Sequence, residues 1–206
     1  MKKKNFDSSP DKKIDTNAGI ILVILAAIGL LGLLIGGRFL FDTSFNASNA
    51  NKTEVGGQSY FLENGAFSAF FPSEPTLSTL QQDFGNGNSV LDYTYGFSNP
   101  YGGYKLEATY AGSAFANLPS SPEENLKNEL SYTANQGGNN LVSSSPTEYN
   151  GLPAIDYLTY NKTTGVYARG KDIAVGNDLY MFEYYYPSGK EDKTLEESFF
   201  NSLTFS

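Results

Sequence analysis

The chain has 206 residues, with 14 Lys and Arg against 22 Asp and Glu, 15 Tyr, 15 Phe, and neither Cys nor His. Lacking both, it excludes disulfides, most zinc, copper, haem and iron–sulfur sites, and the Ser–His–Asp and Cys–His nucleophilic systems, and no residue pattern asks for a cofactor. From Val55 onward seven basic residues face seventeen acidic ones, which argues against nucleic acid as a partner and holds the domain off an anionic lipid surface.

Residues 1–18 read as a polar, disordered cytoplasmic tail, with Lys2, Lys3, Lys4, Lys12 and Lys13 set against Asp7, Asp11 and Asp15. Gly19–Gly37 follows as nineteen residues without charge, Pro or strong polar side chain. At helical rise it reaches roughly 28 Å, the thickness of a bilayer's hydrocarbon core. The backbone there must satisfy its own hydrogen bonds, so residues 19–41 are expected to form one transmembrane helix with the lipid bilayer as partner. Only Arg38 and Lys52 lie on the far flank, so the basic tail predicts the N-terminus inside and the C-terminal domain outside the cytoplasmic membrane. A cleaved signal peptide is the alternative, with Ser44, Ala47, Ser48 and Ala50 as small residues near a cleavage point; the run is longer than a signal's apolar region and begins late. The absence of Cys excludes a lipid-anchored lipoprotein, and the absence of Glu in residues 20–37 argues against a type IV pilin. Gly29, Gly32 and Gly36 share one helix face, a spacing that lets two spans approach and self-associate, although Gly is frequent in spans for other reasons.

Residues 42–57, DTSFNASNANKTEVGG, read as a flexible linker. Asn46, Asn51 and Asn161 each open a formal N-glycosylation triplet. Residues 58–206 form the expected extracytoplasmic domain. Their Tyr, Phe, Thr and Val content is that of strands. Tyr60–Leu62 and Phe67–Phe71 form a first short pair around Asn64-Gly65, a hairpin step. Thr76–Phe84 and Ser89–Phe97 flank a second turn, GNGN. In the latter strand Leu91, Tyr93, Tyr95 and Phe97 share the expected core face, with Val90, Asp92, Thr94 and Gly96 opposite. Tyr104–Ala111 alternates through Leu106, Ala108 and Tyr110.

Ser121–Gln136 changes period. Ser121 is an N-cap, Pro122 suits the first helical position, Glu124 completes a capping box, and Leu126, Leu130 and Ala134 recur every four residues before Gly137-Gly138. Strands resume over Leu141–Tyr149, Leu152–Asn161, Val166–Val175 and Asp178–Tyr186. Lys190–Leu203 reads as a closing helix with Leu195, Phe199 and Leu203 on one face. The order predicts an α+β domain: an antiparallel sheet covered by two helices on the same face or on opposite faces.

Four stretches then carry a resemblance. Phe67-Ser-Ala-Phe-Phe-Pro72-Ser-Glu-Pro75, Gly151-Leu-Pro-Ala-Ile-Asp-Tyr157, Asn177-Asp-Leu-Tyr-Met-Phe182 and Phe199-Phe-Asn-Ser-Leu-Thr-Phe205 are similar, in order and spacing, to motifs of PsbP-like domains. These are sandwiches found in the extrinsic photosystem II protein and in many bacterial membrane-anchored proteins. The resemblance implies a PsbP-like sandwich and a non-enzymatic accessory or binding role; it does not imply photosynthesis. No metal site carries over, because His is absent, and a helix replaces the lipid anchor of many bacterial members.

Several constellations have two readings. Tyr157, Tyr160, Tyr180, Phe182, Tyr184, Tyr185 and Tyr186 enrich two strands with aromatic rings. They suit a strand covered on both faces, or a groove in which Tyr157, Tyr184 and Tyr186 contact a sugar or peptide. Asp92, Glu107, Asp156, Asp172 and Glu183 all fall in strands; paired carboxylates can serve a hydrolase, or simply be solvated. Asp83–Asn88 offers oxygen ligands for Ca²⁺ but lacks the EF-hand register, and an ordinary turn fits it equally. Arg169, the domain's single Arg, is a structural ion pair or a ligand anchor. The expected function is a single-pass, membrane-anchored, non-catalytic binding or accessory protein with a possible protein partner. The alternative is a cell-envelope carbohydrate-binding module or carboxylate-dependent hydrolase.

Overall fold

The computed structural model describes residues 57–63, 66–85, 88–99, 102–110, 121–134 and 138–205. The predicted tail, the span over 19–41, its glycines and nearly all of the linker lie outside these residues. No helix among the described residues is long and apolar enough to cross a membrane.

Ten strands and two helices follow in chain order: β1 (Gln58–Leu62), β2 (Phe67–Phe71), β3 (Thr76–Gly85), β4 (Asn88–Asn99), β5 (Gly102–Tyr110), α1 (Pro122–Thr133), β6 (Asn139–Tyr149), β7 (Leu152–Asn161), β8 (Val166–Val175), β9 (Asp178–Pro187), α2 (Lys193–Phe200) and β10 (Thr204–Phe205). Seven strands make one sheet in the order β3-β4-β5-β9-β8-β7-β6, and three make another in the order β1-β2-β10. Every pairing is antiparallel.

Caps set the helix boundaries. Ser121 Oγ accepts the Glu124 N–H at 3.3 Å and starts α1, as its sequence predicts. Asp192 caps α2 by accepting the Thr194 and Leu195 N–H groups at 3.1 and 3.2 Å. The closing helix is therefore shorter than residues 190–203, and the chain beyond it extends into β10.

The expectation of one sheet covered by two helices is corrected. Among the described residues the domain is mostly β, with two sheets and two short helices, of 12 and 8 residues. β1 and β2 form their own layer, joined by β10, which pairs Thr204 with Ser68 and Phe205 with Phe67. The small sheet and α2 lie against one face of the large sheet. Phe67, Phe71, Phe199 and Leu203 meet Tyr95, Tyr104, Leu106, Tyr180, Phe182 and Tyr184 in the main core. Phe199 is fully buried, with ring centroids 5.6 Å from Phe71, 5.2 Å from Tyr104 and 5.6 Å from Phe182. Alternation marks β2 as half-apolar but does not say which layer it joins. Phe67, Ala69 and Phe71 bury against the large sheet because too few helical residues exist to cover so wide an aromatic face.

α1 covers the opposite face through a small cluster of Leu126, Leu130, Ala134, Ile155 and Tyr157. The edge strand β6 is exposed over most of its length and carries a bulge between Leu141 and Ser143 and a proline at 146, features that blunt a sheet edge against adding another strand.

Candidate functional site

The α1-facing side of the large sheet is built from alternate residues whose pairing partners share that face. One cross-strand row runs Thr94, Glu107, Met181, Asp172, Ile155, and the next runs Gly96, Lys105, Glu183, Gly170, Tyr157. Asp92 pairs with Thr109 one row over. Exposure there is 4% for Asp92, 8% for Lys105, 4% for Glu107 and 0% for Asp172. Glu129 of α1, 3% exposed, closes the layer from above. Among the described residues, four carboxyl groups and one ammonium are thus buried, with the Glu183 side chain, 13% exposed, beside them.

Lys105 holds the centre. Its Nζ lies 2.9 Å from Glu183 Oε2 and 3.2 Å from Glu107 Oε2. Tyr157 donates its hydroxyl to Glu183 Oε1 at 3.1 Å, and Tyr185 donates to Glu183 Oε2. Burial opposes the Lys105 charge, but Glu183, Tyr185 and Glu107 outweigh it and hold the ammonium well above its usual range. Burial likewise opposes the Glu183 charge, but Lys105 and the two phenols outweigh it and lower that carboxyl. Glu183 is therefore ionised, in a buried pair with additional donors.

The outer carboxyls differ. Burial, and then Glu107, push Asp92 up to about 7. Burial, then Glu129 and Glu183, push Asp172 well above the ordinary carboxylate range, and hydrogen bonding with Glu129 adds to the rise. A single ammonium already shared by Glu183 and Glu107 does not neutralise them, so both favour the protonated form more than a solvated carboxyl does.

Gly170 makes the layer possible. A Cβ at that position would sit 2.0 Å from the Tyr157 ring. Tyr157 crosses β8 in the space the missing side chain leaves and so reaches Glu183.

The other sequence candidates lie elsewhere. Tyr184 and Tyr186 are 2% and 6% exposed in the main core, on the face opposite Tyr157. Tyr184 Oη accepts the Asp192 N–H at 3.3 Å, and Tyr186 stacks on Tyr167 at 5.6 Å. Arg169 lies beside α2, its side chain 42% exposed, 2.9 Å from Glu196 and 3.3 Å from Glu191. It lines an open cleft of about 430 Å³ between β6, β7, β8 and α2, with Ser145, Asp156, Lys171, Glu196 and Phe200 among its walls. There Asp156 pairs with Lys171. The five strand carboxylates therefore separate: Asp92, Glu107, Asp172 and Glu183 share the sheet face opposite the main core, while Asp156 faces the cleft. Gly29, Gly32 and Gly36 lie outside the described residues, as do parts of the 83–88 turn. Asn161 is 9% exposed and occupied, donating to Asn139 Oδ1 at 2.9 Å and accepting the Thr163 and Thr164 N–H groups at 3.0 and 3.1 Å. No group of three or more acidic residues among the described residues is arranged to hold a metal ion.

Lys105, Glu129 and Gly170 are members of the layer that sequence reasoning did not single out. A signal existed for Glu129, which falls three residues after Leu126 and one before Leu130, on the apolar stripe of α1. The alternation of Lys105, Glu107 and Thr109 reads equally as a solvated face.

No family model matches the chain, and no curated protein matches it. Among solved structures it is similar to one from Bacteroides thetaiotaomicron, at 15% identity and TM-score 0.34, over 73% of this chain and 48% of the other. It is similar to a Pseudomonas aeruginosa protein of unknown function, at 14% identity and TM-score 0.34, over 57% of this chain and 86% of the other. It is also similar, at 12% identity and TM-score 0.46, over 77% of this chain and 98% of the other, to the solution structure of cyanobacterial PsbP from Synechocystis.

Proposed function

We propose that this protein is held in the cytoplasmic membrane by residues 19–41 and presents residues 58–206 on the outer side as a non-catalytic binding or accessory domain. The observation that carries the anchoring is the nineteen-residue uncharged run Gly19–Gly37, preceded by five lysines and followed by a polar stretch leading into a folded β domain. The binding role is supported by how the domain divides its polar groups. Asp92, Glu107 and Asp172 are buried on one face of the large sheet, whereas Arg169, Lys171, Asp156 and Glu196 line an open cleft beside α2. Charged side chains at an accessible concave surface suit recognition of a polar partner.

Protease treatment of right-side-out membrane vesicles tests this reading. The expected result is a full-length chain that stays with the membrane through alkaline carbonate washing and whose C-terminal domain is digested from outside. Recovery of soluble protein starting near residue 50, or a protected C-terminal domain, overturns it.

A further inference from the structure

We infer that the cleft beside α2 binds a neutral carbohydrate, seating one or two sugar rings of a glycan on β6, β7 and β8 against Phe200. This rests on the reading of that cleft as a binding surface and names what it takes. The floor is made of two adjacent cross-strand rows, Ser143–Leu158–Arg169 and Ser145–Asp156–Lys171. Strands about 4.8 Å apart and rows about 7 Å apart give a floor of roughly 10 by 7 Å, the footprint of a disaccharide. The volume of about 430 Å³ lies in the range of small-ligand sites. Ser143 and Ser145 are exposed, and half-buried Phe200 supplies the apolar part of the α2 wall.

The charges select the ligand class. Lys171 pairs with Asp156, and its Nζ lies 5.9 Å from the Tyr149 ring centroid. Arg169 lies 2.9 Å from Glu196 and 3.3 Å from Glu191. Arg169 and Lys171 face Asp156, Glu196 and Glu197 in the lining, so the cleft is within one charge of neutral. A phosphate or an acidic peptide would have to displace a carboxylate from one of these cations, and a basic peptide would have to displace a cation. Hydroxyl groups need neither. An ammonium has three donors and a carboxylate two acceptor oxygens, and the Asp156 side chain is half exposed, so a vicinal diol can accept from Lys171 and donate to Asp156 with the pair intact. The C–H face of a sugar ring is apolar and suits the Phe200 ring. An extended peptide adding to the sheet is disfavoured at this edge by the β6 bulge and the proline at 146.

Binding of the full chain, in phosphatidylcholine nanodiscs, to arrays of short linear neutral oligosaccharides and, in parallel, of acidic and basic peptides tests this. The expected result is retention of one or more neutral glycans, with Kd changing less than twofold between 50 and 500 mM NaCl. Ser145→Arg on the exposed floor and Phe200→Ala are each expected to weaken that binding at least tenfold, whereas Gln81→Arg on the exposed side of β3 leaves it unchanged. Tyrosine near-UV circular dichroism checks the fold of the Phe200 variant, and Ser145→Arg decides if that fold is altered. Glycan retention untouched by Ser145→Arg, or a Kd that rises more than tenfold with salt, overturns the inference. Retention of a peptide instead, lost on the same substitutions, overturns the glycan class and keeps the cleft as a binding surface. Retention on neither array overturns the inference and, with it, the cleft as the binding surface.

Discussion

The two faces of the seven-stranded sheet are built from the same strands yet solve burial in opposite ways. One face stacks Tyr95, Tyr104, Leu106, Tyr180, Phe182 and Tyr184 beneath the small sheet and α2. The other carries Asp92, Lys105, Glu107, Asp172 and Glu183, with the twelve-residue α1 packed over its β7–β8 end. The aromatic face is stabilised by removing apolar area from water and by edge-to-face ring contacts, so its contribution changes little with pH. The polar face depends on a single ammonium and on bound protons, so its contribution is conditional on pH. Adjacent residues in one strand, Leu106 and Glu107, thus belong to different energetic regimes.

That contrast can be broken from either side. The largest expected effect lies on the aromatic face. Phe199→Ala removes a ring packed against four others and is expected to cost about 3–5 kcal/mol, equally at acid and alkaline pH. Urea unfolding of the full chain in detergent, followed by tyrosine near-UV circular dichroism since the chain has no Trp, measures this; a strong pH dependence of the loss would contradict the division. On the polar face, Lys105→Met leaves Glu183 and Glu107 buried without a cation. Breaking such a pair costs about 3–5 kcal/mol where both partners are ionised. The loss is expected to shrink as pH falls, because Glu183, buried without its cation, takes up a proton more readily and is then relieved. A loss independent of pH would mean that the layer is not electrostatically governed.

Asp92→Asn sharpens the comparison further. Asp92 is raised from 3.8 to about 7, so between those values the folded state holds a proton that the unfolded chain has released. Stability from this group is fully present at the acid end and falls as pH rises through the window, by roughly 4 kcal/mol at most. The Asn variant cannot ionise and is expected to gain on the parent by less than that full amount at about pH 8, and to match it near pH 4. The pH dependence of the urea midpoint decides; parallel curves for the two proteins would place Asp92 in water-like surroundings.

Much of the strand and helix pattern was legible because it is local. Period-two alternation marked the long strands, and Ser121, Pro122 and Glu124 marked the start of α1. The start of α2 was not legible, because Asp192, within the stretch read as helix from Lys190, is its N-cap and sets where the helix begins. The carboxylates were noticed as a set, but their grouping was not readable. Glu107 meets Asp172 only through β9, in a row that joins residues 65 positions apart.

The amino-acid order by itself determined the nineteen-residue apolar run, the acidic balance after it, and which residues alternate along each strand. These are properties of neighbours in the chain, fixed by side-chain chemistry and backbone period. Tertiary structure alone decided that β1, β2 and β10 form a separate layer, and that the polar side of β5 is buried rather than open to water. Alternation gives a strand two faces, but what covers each face depends on distant segments. That covering sets the local dielectric, and with it whether a carboxyl such as Asp172 is a solvated charge or a buried, protonated group.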